Sequence, residues 1–366
     1  MKLWKAFFCL ASLAALASPA QAGKAGKAVA LEYSRADLEA KWRLRVQSFL
    51  DKGVIPLIDV ESSLKKKDGK RHLDDALAAM DELGVALIAF DGYPSKKDKS
   101  GETYRWGYYI HKVVNAHPGR FILASNGGTN RNWLRQGDDF LAQTEAQVSG
   151  GDYPIMGEFD FRHYMSKGQC RDGKTHRDSD IPLNGPSGRR LFKLSSETGV
   201  AFAIHLEPED APLVALEEML TAYPKANVIV AHFGQIRHPE KETKFGPALV
   251  RRLLGAHPNL YYDISTGQPG RTYPCNDDVL DTVIWKSSGL GGQKDQLKDA
   301  YKAILGEFSA RFVVGTDYGG GRGSLARYLK KKVANIRRIM HDLPVQAKHN
   351  IGYRNAWKLL TGKDWK

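Results

Sequence analysis

Short apolar runs alternate with longer amphipathic stretches along most of this chain. Eight runs rich in Val, Ile, Ala and Phe stand out: 54–61 (VIPLIDVE), 84–92 (GVALIAFDG), 120–128 (RFILASNGG), 153–164 (YPIMGEFDFRHY), 200–208 (VAFAIHLEP), 227–234 (NVIVAHFG), 259–265 (NLYYDIS) and 312–319 (FVVGTDYG). Helical periodicity fills the intervals, at 72–83, 105–118, 133–149, 187–199, 208–224, 245–258 and 295–309. It continues after the eighth run at 324–340 and 347–360. A leading helix is expected within 34–53, with Ser34 or Asp37 at its start and Gly53 just past its end. The runs are continuous rather than alternating, which implies strands covered on both faces. Eight strand–helix units without a Gly-rich dinucleotide fingerprint favour a closed barrel over an open doubly wound sheet. The expected fold is therefore α/β, a single-domain (β/α)8 TIM barrel over 54–366, with an extra helix at each end.

The N-terminus adds a compartment. Lys2 and Lys5 precede an apolar stretch that ends in Ala20-Gln21-Ala22. This pattern predicts a secretory signal over 1–22, cleaved after Ala22, and a periplasmic or secreted protein. The stretch is too short to favour a membrane span, and Cys9 lacks a convincing lipoprotein-type box. A leader and the first helix would occupy 23–53. Formal net charge is +13, and loss of Lys2 and Lys5 would make it +11. Such a surface suits solubility and anionic ligands equally. With no nucleic-acid motif and no aromatic–basic interleaving, nucleic acid is set aside. The lysine-rich stretch 64–71 (LKKKDGKR) reads as a loop. Export makes a disulfide between Cys170 and Cys275 feasible, although spacing alone does not supply its geometry.

In a parallel barrel the C-terminal strand ends ring one mouth, where active sites form. The run ends here offer Asp59, Glu61 and Ser63, then Glu158, Asp160, Arg162 and His163, then His205 and Glu207, His232, Asp263 and Asp317. Taken singly, each has a structural explanation: a satisfied core histidine, a turn cap, an ion pair. Taken together, imidazoles and carboxylates are the donors that Zn²⁺ or Mn²⁺ requires. Carboxylates converging without a cation would repel and be costly to desolvate. Arg162, His163 and Arg237 lie just past the fourth and sixth runs and are candidates to bind an anionic group of a substrate. The 163–188 insertion exceeds an ordinary connection and is expected to shape the pocket, with His176 inside it.

The order His205, His232, Asp317 on the fifth, sixth and eighth strands resembles the amidohydrolase superfamily. It is nearest to the amidohydrolase-related branch of small metal-dependent hydrolases and aromatic-acid decarboxylases. The segment HNIGYRNAWKLL (349–360) is similar to that branch's closing helix, and the likeness runs from about residue 54 onward. Family members open strand one with Asp-X-His-X-His, whereas this chain has Asp59-Val60-Glu61-Ser62-Ser63. The resemblance implies that Glu61, His205 and Asp317 hold one divalent cation, Zn or Mn. It further implies that Asp317 takes a proton from the attacking water, while His232 polarises the substrate or acts as acid and base. Glu158 stands near the place where a strand-four side chain bridges two metals in some members. Ser63 is a poor ligand, and His72 is a replacement only if it does not begin the first barrel helix.

The expected function is that of an exported metal-dependent hydrolase that cleaves a C–N or C–O bond in a small substrate, anionic or neutral. A sister reading is non-oxidative decarboxylation of an aromatic acid, which Glu61 favours. A glycosidase pairing Glu158 with Glu207 or Asp263 would need no metal, but it leaves His205, His232 and Asp317 unexplained. A non-catalytic binding barrel is the remaining alternative, and the oligomeric state is open.

Overall fold

The structure is a computed structural model that describes residues 30–64, 66–92, 108–125, 127, 133, 137–165, 167–173, 178–238, 241–267, 281–282, 284–286, 296–319 and 324–366. The expected signal segment 1–22, His176 and Cys275 lie outside the described residues. Cys170 is disulfide-bonded, and its pairing with Cys275 likewise falls outside them. Among the described residues, no helix is long and apolar enough to cross a membrane.

Eight parallel strands form the barrel. They are β1 (Leu57–Leu64), β2 (Val85–Gly92), β3 (Phe121–Ala124), β4 (Ile155–His163), β5 (Ala201–Leu206), β6 (Val228–Val230), β7 (Leu260–Asp263) and β8 (Phe312–Val313). Each pairs with its sequence neighbours. The ring closes between the last strand and the first. Val314 bridges Asp59 in parallel, Val60 N–H donates to Val314 O at 3.0 Å, and Tyr318–Gly319 pairs with Ser62–Ser63. The expected single-domain (β/α)8 barrel is thus the observed one.

Burial explains why the runs are continuously apolar. Val85 to Phe90 are all 0% exposed, so successive side chains are covered on both faces of the sheet. Each aliphatic or aromatic side chain so buried contributes about 1.5–3 kcal/mol. Outside the sheet, the helix Arg35–Leu50 begins at Ser34, whose hydroxyl caps Asp37 in a reciprocal capping box. Its Leu38, Trp42, Val46 and Phe49 form one buried stripe.

The C-terminal helices lock the end of the barrel opposite the strand C-termini. Asn355 Nδ2 donates to Ser309 O at 2.7 Å and to Phe312 O at 2.8 Å, tying the helix Asn355–Thr361 to β8. Lys363 reaches Glu39 at 2.8 Å, and the Arg43 guanidinium lies 4.8 Å from the Trp365 ring centre, so the first and last helices hold each other. One sequence expectation is corrected. The stretch 64–71, read as a loop, is helical from Lys66, and His72 lies inside the helix Lys66–Leu83. Lysine is a good helix former, and a single glycine at 69 costs only about 1 kcal/mol, too little to stop a helix that packs on the barrel.

Candidate active site

Asp59 anchors the mouth without facing it. Its carboxylate accepts from Glu61 N at 3.0 Å, Thr316 N at 3.0 Å, Ser62 Oγ at 2.7 Å and Thr316 Oγ1 at 2.6 Å. Complete burial raises its pKa to about 6, against the pull of these four hydrogen bonds. The same bonds fix the backbone that carries Glu61.

Glu61 is 5% exposed, and neither carboxylate oxygen has a hydrogen-bond partner. The nearest basic nitrogen is His232 Nε2, 3.7 Å from Oε1. Burial first, and then the charges of Asp263, Glu158 and Asp317, hold the Glu61 pKa well above the usual carboxylate range. Gly315 makes the room. A Cβ there would lie 2.6 Å from Glu61 Oε2 and 3.1 Å from Asp263 Cγ.

His232 follows β6 in the left-handed region, with φ 60°. This conformation is uncommon outside glycine and turns the ring inward. Asp263, at the end of β7, holds the bend by accepting His232 N–H at 3.0 Å. Asp263 Oδ1 also accepts from Ser265 N at 2.9 Å and Ser265 Oγ at 2.5 Å. Ser265 has one hydroxyl hydrogen and gives it to Asp263. His232 Nδ1, 2.6 Å from Ser265 Oγ, must therefore be the donor in that pair. His232 Nε2 then faces Glu158 Oε1 at 3.2 Å as well as Glu61. Asp263 Oδ2 is buried without a partner.

Glu158 joins the two imidazoles. Its Oε1 lies 3.0 Å from His205 Nδ1 and 3.2 Å from His232 Nε2. Burial pushes its pKa up, but the bonds and charges of the two histidines outweigh this and hold it well below the usual range. Gly157 precedes it with φ 98°, and a Cβ there would lie 2.5 Å from Ala203 O, so only glycine fits beside β5. For His205, burial and Arg237 lower the pKa, yet Glu158 and Glu207 together raise it to about 9.

Three donor groups result, each with ligand atoms within 4.8 Å of one another: Glu158, His205 and His232; Glu61, His232 and Asp263; and Asp160, His163 and His205. The first two share His232. They fit a divalent cation on two counts: orphaned buried oxygens on Glu61 and Asp263, and a mixed nitrogen and oxygen donor set. Asp317, also at positive φ (50°), belongs to none of the three groups. Its backbone N–H donates to Glu61 O at 3.0 Å, and its partly exposed carboxylate lies 3.6 Å from Lys332 Nζ.

The residues read as anion binders are already engaged. Arg162 Nη1 reaches Asp178 at 3.0 Å and Ser179 O at 3.0 Å, and its guanidinium stacks 3.7 Å from the Tyr164 ring centre. Arg237 Nη1 lies 2.9 Å from Glu207. His163 packs edge-on against His205, with ring centres 4.4 Å apart. Sequence reasoning placed Asp263 and Glu207 among the rim donors and as glycosidase candidates, but not among the named metal ligands. The strand-end rule could have joined Asp263 to Glu61, but nothing in the sequence signals its hydrogen bonds to His232 and Ser265.

A parallel barrel whose strand ends gather buried carboxylates and imidazoles has the arrangement in which TIM-barrel enzymes place their sites. The amidohydrolase family model matches residues 145–361, more than half of the chain, and this protein belongs to that family, in its amidohydrolase-related branch. The family generally uses a divalent metal, and the protein is an enzyme. No curated protein matches the chain closely enough to report. Similar solved structures include a provisionally assigned amidohydrolase from Staphylococcus aureus (13% identity, 83% of this chain and 99% of that one, TM-score 0.48). Others are 2,6-dihydroxybenzoate decarboxylase from Rhizobium (13%, 83% and 98%, 0.45) and 4-oxalomesaconate hydratase from Rhodopseudomonas palustris (13%, 88% and 91%, 0.45).

Proposed function

We propose that this protein is an exported metal-dependent hydrolase that cleaves a C–N or C–O bond in a small molecule. The observation that carries the reading is Glu61, buried with both oxygens unpartnered beside Glu158 and Asp263. Glu61, His232 and Asp263, with Glu158 and His205, would hold one divalent cation, and their mixed donors suit zinc or manganese. Such a cation supplies charge neutralisation and polarises the reacting oxygen.

The chain's own groups do the rest. Asp59 and Thr316 keep Glu61 in register. Ser265 and Asp263 fix His232 so that Nε2 faces the site, where it orients or polarises the substrate. Asp317, at the rim with access to solvent, accepts a proton from the attacking water and passes it outward. Arg162 and Arg237, matched by carboxylates, organise the mouth. A substrate anion at either one would have to compete with Asp178 or Glu207.

A second reading, non-oxidative decarboxylation of an aromatic acid, is favoured by the carboxylate Glu61 at the first histidine position of strand one. One experiment separates the two. The purified, zinc- or manganese-loaded enzyme is offered lactones, esters, amides and hydroxybenzoates. Chelator-sensitive hydrolysis supports the first reading, and carbon dioxide release from a hydroxybenzoate supports the second. A protein that takes up no metal in elemental analysis would refute both. Detection of the mature N-terminus at Gly23 in an extracytoplasmic fraction tests export.

A further inference from the structure

Glu207 sits two residues beyond the metal-facing histidine of β5, 3% exposed, in a place that the proposed chemistry does not use. Three nitrogens converge on it. Arg237 N reaches Oε2 at 3.1 Å, Arg237 Nη1 reaches Oε1 at 2.9 Å, and His205 Nε2 lies 3.2 Å from Oε1. Arg237 is in turn pinned. Its Nη1 donates to Tyr164 O at 3.1 Å, and the Gln235 amide oxygen accepts from Nη2 at 2.9 Å and from Nε at 3.2 Å.

His205 meets this pair along one edge of its ring. Nε2 lies 3.2 Å from Glu207 Oε1 and 3.1 Å from Arg237 Nη1, while Nδ1 lies 3.0 Å from Glu158 Oε1, on the side of the donor group.

Resting on the metal-dependent reading above, we propose that Glu207, clamped by Arg237, is a positioning residue that holds the His205 ring by its Nε2 edge, so that Nδ1 is the atom offered to the cation. Carboxylates that hold the far nitrogen of a ligating histidine raise its basicity and lock its orientation. The pair Glu207–Arg237 is built for this task. It is buried and rigid, and it joins the ends of β5 and β6.

The test is a titration of the metal-free protein with Zn²⁺ in competition with a chromophoric chelator, on wild type, Glu207→Gln and the double variant Glu207→Gln/Arg237→Gln. The double variant removes both buried charges at once and guards against a single variant that fails to fold. Affinity should fall about ten- to a hundredfold in both variants. In ¹⁵N-histidine spectra of the zinc-loaded wild type, His205 should be protonated at Nε2. A merely structural pair would lower the unfolding temperature of the metal-free protein and leave zinc affinity within twofold of wild type; that result, or protonation of His205 at Nδ1, would overturn the proposal. Wild type that binds no zinc would instead sink the metal-dependent reading, and this inference with it.

Discussion

Asp59 and Thr316, 257 positions apart in the chain, are joined across the barrel seam by two hydrogen bonds, Thr316 N to Oδ1 and Thr316 Oγ1 to Oδ2. Asp59 serves Glu61 N and Ser62 Oγ from the same carboxylate. Asp59→Ala would strand the buried N–H groups of Glu61 and Thr316 and leave the Ser62 and Thr316 hydroxyls only each other, at 2.8 Å, so it should lower stability by about 3 kcal/mol, each unmet buried group costing roughly 1–3 kcal/mol. Urea unfolding of the metal-free protein measures this. A loss below about 0.5 kcal/mol, the level of an ordinary surface substitution, would show that the seam does not depend on Asp59.

Stability and function should move in opposite directions at Glu61. Glu61→Gln removes an ionisable group whose charged form is disfavoured by burial and by three neighbouring carboxylates. The metal-free protein should gain about 1–2 kcal/mol, while metal content and turnover collapse. Denaturant unfolding alongside elemental analysis decides the matter; a destabilised variant that keeps its metal would count against the site.

Gly315 offers a steric probe of the same carboxylate. In Gly315→Ala the new methyl would press on Glu61 Oε2 at 2.6 Å and on Asp263. The expected cost is about 1–3 kcal/mol in stability, together with weakened metal binding. Unchanged zinc affinity in a folded variant would mean that Glu61 can move without consequence.

Away from the mouth, Asp81 gives a pH signature. Partial burial raises its pKa, but hydrogen bonds from Arg120 and Arg45 outweigh this and hold it below 3.8. A depressed folded pKa contributes stability that is present above the unfolded value and lost as pH falls through the folded one. Asp81 is 49% exposed, so screening leaves only about 0.5 kcal/mol. Asp81→Asn should thus be slightly less stable than wild type at pH 7, and the gap should close below pH 3.8. A gap that persists or widens in acid would assign the effect to something other than this ion pair.

The barrel was legible because its strands are buried on both faces. Runs such as Val85–Phe90 and Val228–Val230 contain no polar break to obscure them. The rim was legible as a set of strand ends, and Glu61, Glu158, His205 and His232 do meet. Its details were hidden where the chain leaves regular structure. His232 and Asp317 lie beyond the last paired residue of β6 and β8, at positive φ that no periodicity encodes. Arg162 and Arg237 looked free because their partners, Asp178 and Glu207, are brought to them only by the folded loops. The lysine run after β1 shows the converse: a polar segment can be helical when the residues after it pack on the barrel.

The seam also sets an order of events. Gly315 and Thr316 complete the surroundings of Glu61, and they lie some 250 positions later in the chain. Contacts of such long separation form slowly, because a large loop must close before they give any return. Glu61 therefore has its full surroundings only once the eighth strand is docked on the first. Agents that capture the chain before that docking would find a nearly whole barrel with no working centre.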